Sequence, residues 1–197
     1  MQIIANTALQ LAVPNTVLDQ AVQYIQDAQV VTSGARKELL LRWDYDEVLK
    51  LTYLLDGLQP RSNVPELPSP ILKDYKWPGI YQPFAHQKDT ASFLSIRKRA
   101  FCFNEAGTGK TSAAIWAADY LMELGIIKRV LVICPLSIMY SAWQADIFKT
   151  AMHRSAAVAY GSSEKRKKII QEGYDFVVIN YDGVNIVREA IEAARFD

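Results

Sequence analysis

A glycine loop, NEAGTGKT at residues 104–111, stands between an apolar run, RAFCFNE from Arg99, and an alanine-rich stretch of helical character, Ser112 to about Leu124. A strand that ends in a glycine-rich turn and opens into a helix aims several backbone N–H groups, and the positive end of the helix dipole, at one point. That is an anion cradle. Gly107 and Gly109 permit backbone angles and close approaches that side chains would obstruct. In such a loop Lys110 would reach the β- and γ-phosphates of a nucleotide, and the Thr111 hydroxyl would hold Mg²⁺. Ala106, Thr108 and Ser112 complete the phosphate-binding set. The strict G-x-x-x-x-G-K-[ST] pattern has glycine where this chain has Asn104.

The surrounding pattern limits the fold. From Gln87 onward short apolar runs alternate with helical segments: a helix DTASFLSI, a buried strand RAFCFNE, the loop and its helix, then strand RVLVICP and a helix around SAWQADIFKTA. Strand SAAVAY, a helix around EKRKKIIQEG, strand FVVIN and a final helix VREAIEAAR complete the series. Alternation of this kind implies right-handed crossovers and a parallel sheet covered on both faces. In the helix after the loop, Ala114, Ala117, Ala118, Leu121 and Met122 form the face expected to pack on the sheet.

Six of the eight prolines lie between Pro60 and Pro83, which marks an extended connector over about residues 61–80. Before it, LQLAVP, AQVVT and ELLLRW read as strands, with helices at VLDQAVQYI and DYDEVLKLTYLLDGL. Residues 1–60 are therefore expected to form a small α+β unit without evident chemistry, and residues 81–197 an α/β lobe.

Composition excludes several classes. Residues 1–80 carry 7 basic against 9 acidic side chains and residues 81–197 carry 15 against 12, so neither half has the basic excess that alone would announce nucleic acid. Cys102 and Cys134 sit in apolar runs and read as reduced, buried thiols, too few for a zinc site. No window approaches the roughly 18 apolar residues of a membrane span, and the N-terminus lacks a signal-peptide pattern, so a soluble protein, cytoplasmic or nucleoid-associated, is expected.

Several stretches together resemble the superfamily-two helicases and translocases. Asn104-Glu105-Ala106 before GTGKT resembles that superfamily's relaxed loop. Gln87, 23 residues before Lys110, looks like its adenine-reading glutamine, since an amide donates and accepts as adenine's N6 and N7 require. VLVICPLSIMYSAWQADIFK is similar to the element after the loop in the Swi/Snf-like branch. There Pro135, Leu136 and Ser137 would line the nucleic-acid face, while Ser137 as a helix cap and Trp143 as a core residue are the structural alternatives, core being favoured for Trp143. FVVINYDGV resembles the strand whose polar end, here Asn180 and Tyr181, faces the DNA backbone; a turn residue and a packed aromatic fit these positions equally. The basic run Lys165, Arg166, Lys167 and Lys168 would wrap right round a helix and is expected to be a solvated face.

The resemblance implies a P-loop, RecA-like parallel sheet flanked by helices, with ATP and Mg²⁺ as cofactors and DNA as partner, duplex before single strand and RNA as an alternative. It also implies a later Asp-Glu pair, a second lobe and an arginine finger, none of which appears after FVVIN in these residues. The 197-residue polypeptide is thus expected to be the N-terminal part of an ATP-driven motor, with the C-terminal remainder as its partner, and to hydrolyse ATP poorly alone with Lys110 as its catalytic residue. The alternatives are another P-loop NTPase or kinase, or a non-catalytic binding module.

Overall fold

The computed structural model describes residues 1–58 and 65–197. They form two compact units, Met1–Tyr75 with Ser92–Phe101, and Lys76–Ala91 with Cys102–Asp197. Residues 61–64, with which the expected connector at 61–80 begins, lie outside the described residues.

The first unit contains strands β1 (Gln2–Ile4), β2 (Ala8–Leu11), β3 (Gln29–Ser33) and β4 (Arg36–Arg42) and helices α1 (Asn15–Tyr24), α2 (Tyr45–Asp56) and α3 (Ile71–Asp74). Its strands make an antiparallel sheet in the order β1-β2-β4-β3. Leu9 and Leu11 on β2, and Leu39 and Leu41 on β4, alternate inward, as the two-residue period of a strand dictates. They meet Val17, Leu18 and Ala21 of α1 and Val48, Leu51 and Leu55 of α2 in one core. Each such leucine contributes about 1.5–3 kcal/mol by leaving water. The described part of the proline-rich stretch is packed, with Leu67, Ile71 and Tyr75 buried, and Pro68 O accepts from Trp43 Nε1 at 2.8 Å. β1 is too short for the sequence pattern to reveal.

In the second unit α4 (Ala85–Ser95, of which 85–91 belong here) precedes α5 (Lys110–Glu123), β5 (Val130–Cys134), α6 (Ala145–Thr150), β6 (Ala156–Val158), α7 (Ser163–Gln171), β7 (Phe176–Asn180), α8 (Tyr181–Ile186) and α9 (Arg188–Ala194). β7 pairs in parallel with β5 on one side and β6 on the other, with Cys134 opposite Asn180 and Val158 opposite Val178. All five β7 residues are buried. Phe176 and Val178 point into a core with Ile115 and Met122 of α5, Val132 and Ile147, while Val177 and Ile179 point into another with Ile170 and Val187. The sheet is thus parallel and covered on both faces, as the alternating pattern requires.

Four expectations change. RAFCFNE is not a strand: Phe101 and Phe103 are 82% and 88% exposed, and Cys102 is only partly buried. A strand needs a neighbour for its backbone groups, and β5 pairs with no strand but β7 among the described residues. The segment after Pro135 is no uniform helix; a 3₁₀ turn (Leu136–Ile138) passes through a π-type turn (Met139–Gln144) into α6. α5 buries more than one face. Ala113, Ile115, Trp116, Ala117, Asp119, Tyr120 and Met122 are covered, whereas Ala114, Ala118 and Leu121 are only partly so. Helix α8 follows β7 directly, where the sequence pattern predicts no helix before VREAIEAAR. Cys134 is buried as expected, and burial pushes its thiol pKa up. No described helix is long and apolar enough to cross a membrane.

Residues 77–80 strap α5 to the end of α6. Trp77 meets Trp116 edge to face at 5.7 Å, Trp116 Nε1 donates to Pro78 O at 3.0 Å, and Ile80 N donates to Lys149 O at 2.9 Å. Gly79 has φ +110°, and a Cβ there would collide with the carbonyl oxygens of Lys149 and Thr150. Gly79→Ala is expected to lower the unfolding free energy by about 1–3 kcal/mol, read as an earlier urea midpoint with unchanged slope. An unchanged midpoint would show that the strap does not bear on stability.

Candidate functional site

The loop at 104–109 is gathered by side chains. Lys110 lies at the start of α5 and its Nζ donates to Asn104 O and Glu105 O, both at 2.7 Å. Thr108 Oγ1 donates to Glu105 O at 2.8 Å, closing the turn from within. Gly107 and Gly109 have φ of +78° and +73°, a conformation costly for other residues. The first α5 amide bonded back to the loop is Ala113 N, on Gly109 O at 3.1 Å. By helix geometry the amides of residues 110–112 lead out of the helix end, toward the loop, with the positive end of the dipole behind them.

Asn104, which breaks the strict pattern, is built into this loop. Its Nδ2 donates to Thr90 Oγ1 at 2.9 Å, and Thr90 Oγ1 in turn donates to His86 O at 2.7 Å, so α4 is tied to the loop's first residue. His86 Nε2 lies 3.0 Å from Thr108 O; a carbonyl only accepts, so this nitrogen carries the proton. Gln87 is 8% exposed and lies against the loop backbone. Its Oε1 accepts from Phe84 N at 2.9 Å and its Nε2 donates to Gly109 O at 3.4 Å. One N–H and one lone pair of the amide remain unused, the combination an adenine edge takes. The Phe84 ring is 67% exposed and stacks on His86 at 5.7 Å.

Ala106 and Gly107 are exposed, and Thr108, Gly109, Lys110, Thr111 and Ser112 are half-buried along the same turn. The Thr111 hydroxyl has no protein partner among the described residues, and Ser112 Oγ accepts from Thr150 Oγ1 at 3.4 Å. The residues singled out from the loop motif and Gln87 therefore come together at one end of α5.

The nucleic-acid candidates form a second group. Because Cys134 stands opposite Asn180, the residues after β5 and those at the end of β7 emerge side by side. Pro135, Leu136 and Ser137 are all exposed. Ser137 lies inside the 3₁₀ turn and caps no helix, and its carbonyl accepts from Ser141 Oγ at 3.2 Å. Trp143 is partly buried and packs on the core beneath β5. Tyr181 is 61% exposed, whereas Asn180 is 6% exposed.

The basic run departs from the solvated face expected of it, because Arg166 is 5% exposed. Four consecutive charged residues hide which one turns inward. Thr90 and His86 also carried no sequence signal; the asparagine in place of glycine was the sole hint that the loop had an extra tether.

Residues 78–195 match the family described as "Type III restriction enzyme, res subunit". Among curated proteins nothing matches. Among solved structures the chain is similar to one described as "Sulfolobus solfataricus SWI2/SNF2 ATPase core in complex with dsDNA", with 27% identity and a TM-score of 0.47. That likeness covers 54% of this chain and 23% of the other, so the chain spans less than a quarter of that structure's length.

The two tethers of the loop are separable. If the loop cradles phosphate, Lys110→Ala, which removes the one cation of residues 104–112, is expected to weaken binding of a fluorescent ATP analogue by about ten- to a hundredfold, the effect of about 1.5–3 kcal/mol from a charged hydrogen bond. Asn104→Gly leaves the backbone cradle in place, so affinity should stay within a few-fold of wild type. The reverse ranking in the same titration would mean that the loop does not work as a phosphate cradle.

Proposed function

This chain belongs to the type III restriction enzyme res-subunit family, a motor lobe of the superfamily-two helicase type, and on that premise we propose that it binds ATP with Mg²⁺ at residues 106–112 and duplex DNA at the loops after β5 and β7. The observation that carries the reading is the turn with Lys110 at its end, set on the first turn of a 14-residue helix. A polyanion is the ligand such a turn favours.

Within this reading each residue has a task. Lys110 exchanges the carbonyls of Asn104 and Glu105 for the terminal phosphates and offsets charge that builds up in phosphoryl transfer. The amides of Gly107, Gly109 and the first turn of α5 hold the remaining phosphate oxygens, and Gln87 offers its unused donor and acceptor to the adenine edge. The residues fit Mg²⁺: the Thr111 hydroxyl is a neutral oxygen donor without a protein partner among the described residues, beside the cradle. Bound there, the ion would neutralise phosphate charge.

Pro135, Leu136, Ser137, Asn180 and Tyr181 form the proposed DNA contact. Hydroxyl, amide and backbone donors at strand ends suit phosphate oxygens, which gives grip without sequence reading. Duplex DNA is favoured by the similarity of VLVICPLS to the Swi/Snf-like branch, and a cytoplasmic or nucleoid-associated place follows. Turnover by residues 1–197 alone is proposed to be slow, since the Asp-Glu pair that the motif resemblance places after β7 is not among them. The one such pair, Asp46-Glu47, opens α2, where Glu47 is buried against Arg42. Full activity is proposed to need the rest of a two-lobed motor.

The test separates Mg²⁺ from the cradle. Wild-type affinity for the ATP analogue should fall when EDTA replaces Mg²⁺, whereas the weaker affinity of Thr111→Ala should respond little to the ion. Equal Mg²⁺ dependence in both proteins would remove Thr111 from the site, and no binding by wild type would sink the reading.

A further inference from the structure

One buried arginine ties the ends of β6 and β7 together. Arg166 of α7 donates from Nη1 to Ala159 O at 2.7 Å and to Asn180 Oδ1 at 2.9 Å, and from Nε to Gly161 O at 2.9 Å. Its guanidinium carbon lies 5.3 Å from the centre of the Tyr160 ring. All these partners are neutral, and among the described residues no carboxylate forms an ion pair with it. A buried cation usually draws a carboxylate because desolvation is costly. This one is satisfied by carbonyl dipoles and keeps its charge uncompensated.

The contact also decides which way an amide faces. Oδ1 of Asn180 is set against the guanidinium, which only donates, so Nδ2 with its two N–H groups turns away from it. Nδ2 donates to no protein oxygen among the described residues, yet it is not sealed from solvent. Gly183 closes the far side. A Cβ there would collide with the guanidinium and come within 2.8 Å of Asn180 Oδ1, so the pair has no room to rearrange.

We infer that Arg166 is a positioning residue for nucleic-acid binding: it holds the Asn180 amide with its donors outward, toward a backbone phosphate, and sets an unpaired positive charge beneath that contact. The inference rests on the proposed reading of the strand-end loops as the DNA contact. An outward N–H₂ over a buried cation suits an anionic oxygen, and an outward carbonyl would repel one.

Asn180→Asp separates this role from a structural one. An aspartate is the same size and pairs with Arg166 as an ion, so the fold should be as stable as wild type or more so, but it offers phosphate only acceptors. In fluorescence anisotropy with a labelled duplex, wild type should bind with a log-log salt dependence. Asn180→Asp should bind about tenfold or more weakly, with a salt slope lower by about one. Arg166→Lys, which keeps the charge but cannot bridge the three oxygens, should fall between them. The inference is overturned if Asn180→Asp binds with wild-type affinity and slope, or if it unfolds at a lower temperature than wild type, since Oδ1 would then not face the guanidinium. A wild-type protein that binds no duplex overturns the reading of the loops, and the inference with it.

Discussion

The parallel register of β7 is the constraint on which the second unit depends. β7 is hydrogen-bonded to β5 on one side and β6 on the other, and its five side chains are all buried, alternating between two cores. A slip of one residue would exchange Phe176 and Val178 with Val177 and Ile179, turning each set into the wrong core. The same register places Cys134 opposite Asn180, so two stretches 45 residues apart in sequence leave the sheet together. Ligands of open parallel sheets gather at the carboxyl ends of the strands. The loops proposed to meet DNA lie there because this register brings the ends of β5 and β7 together.

The glycine loop is held by different means. Around residues 99–105 there is no strand pairing to order the chain. Its geometry comes from Lys110 on the carbonyls of Asn104 and Glu105, Thr108 on the same Glu105 carbonyl, and Asn104 on Thr90. Hydrogen bonds exposed to water contribute little individually, and a loop made of them can exchange partners with a ligand at small cost. A lysine that rests on backbone carbonyls can move to phosphate oxygens without leaving a buried charge behind.

Much of this was legible in the sequence, where local pattern and tertiary context agree. The short apolar runs LQLAVP and ELLLRW predicted β2 and β4, and the run FVVIN predicted a strand of the covered parallel sheet. GTGKT before an alanine-rich segment predicted a turn opening into α5. What failed depends on partners that a linear pattern does not contain. RAFCFNE has the composition of a buried strand, but composition supplies no neighbour. Tyr181–Ile186 shows no helical pattern before VREAIEAAR, yet it forms α8, where Gly183 leaves room for the guanidinium. Arg166 was hidden among three other cations, since burial of one side chain in a basic run follows from α7 lying over the ends of β6 and β7. The candidate residues of the loop were found because their spacing is local; their tethers, Thr90 and His86, were not, because they come from another helix.

The account stands or falls on the loop as a phosphate cradle, and backbone amide NMR reads that directly. In a titration of the ¹⁵N-labelled 197-residue protein with Mg-ADP, the largest and saturable shifts should fall on the amides of Gly107, Thr108, Gly109, Lys110 and Thr111, with Gln87 side-chain signals moving in step. Shifts that leave those amides in place, or that cluster in residues 1–58, would contradict it.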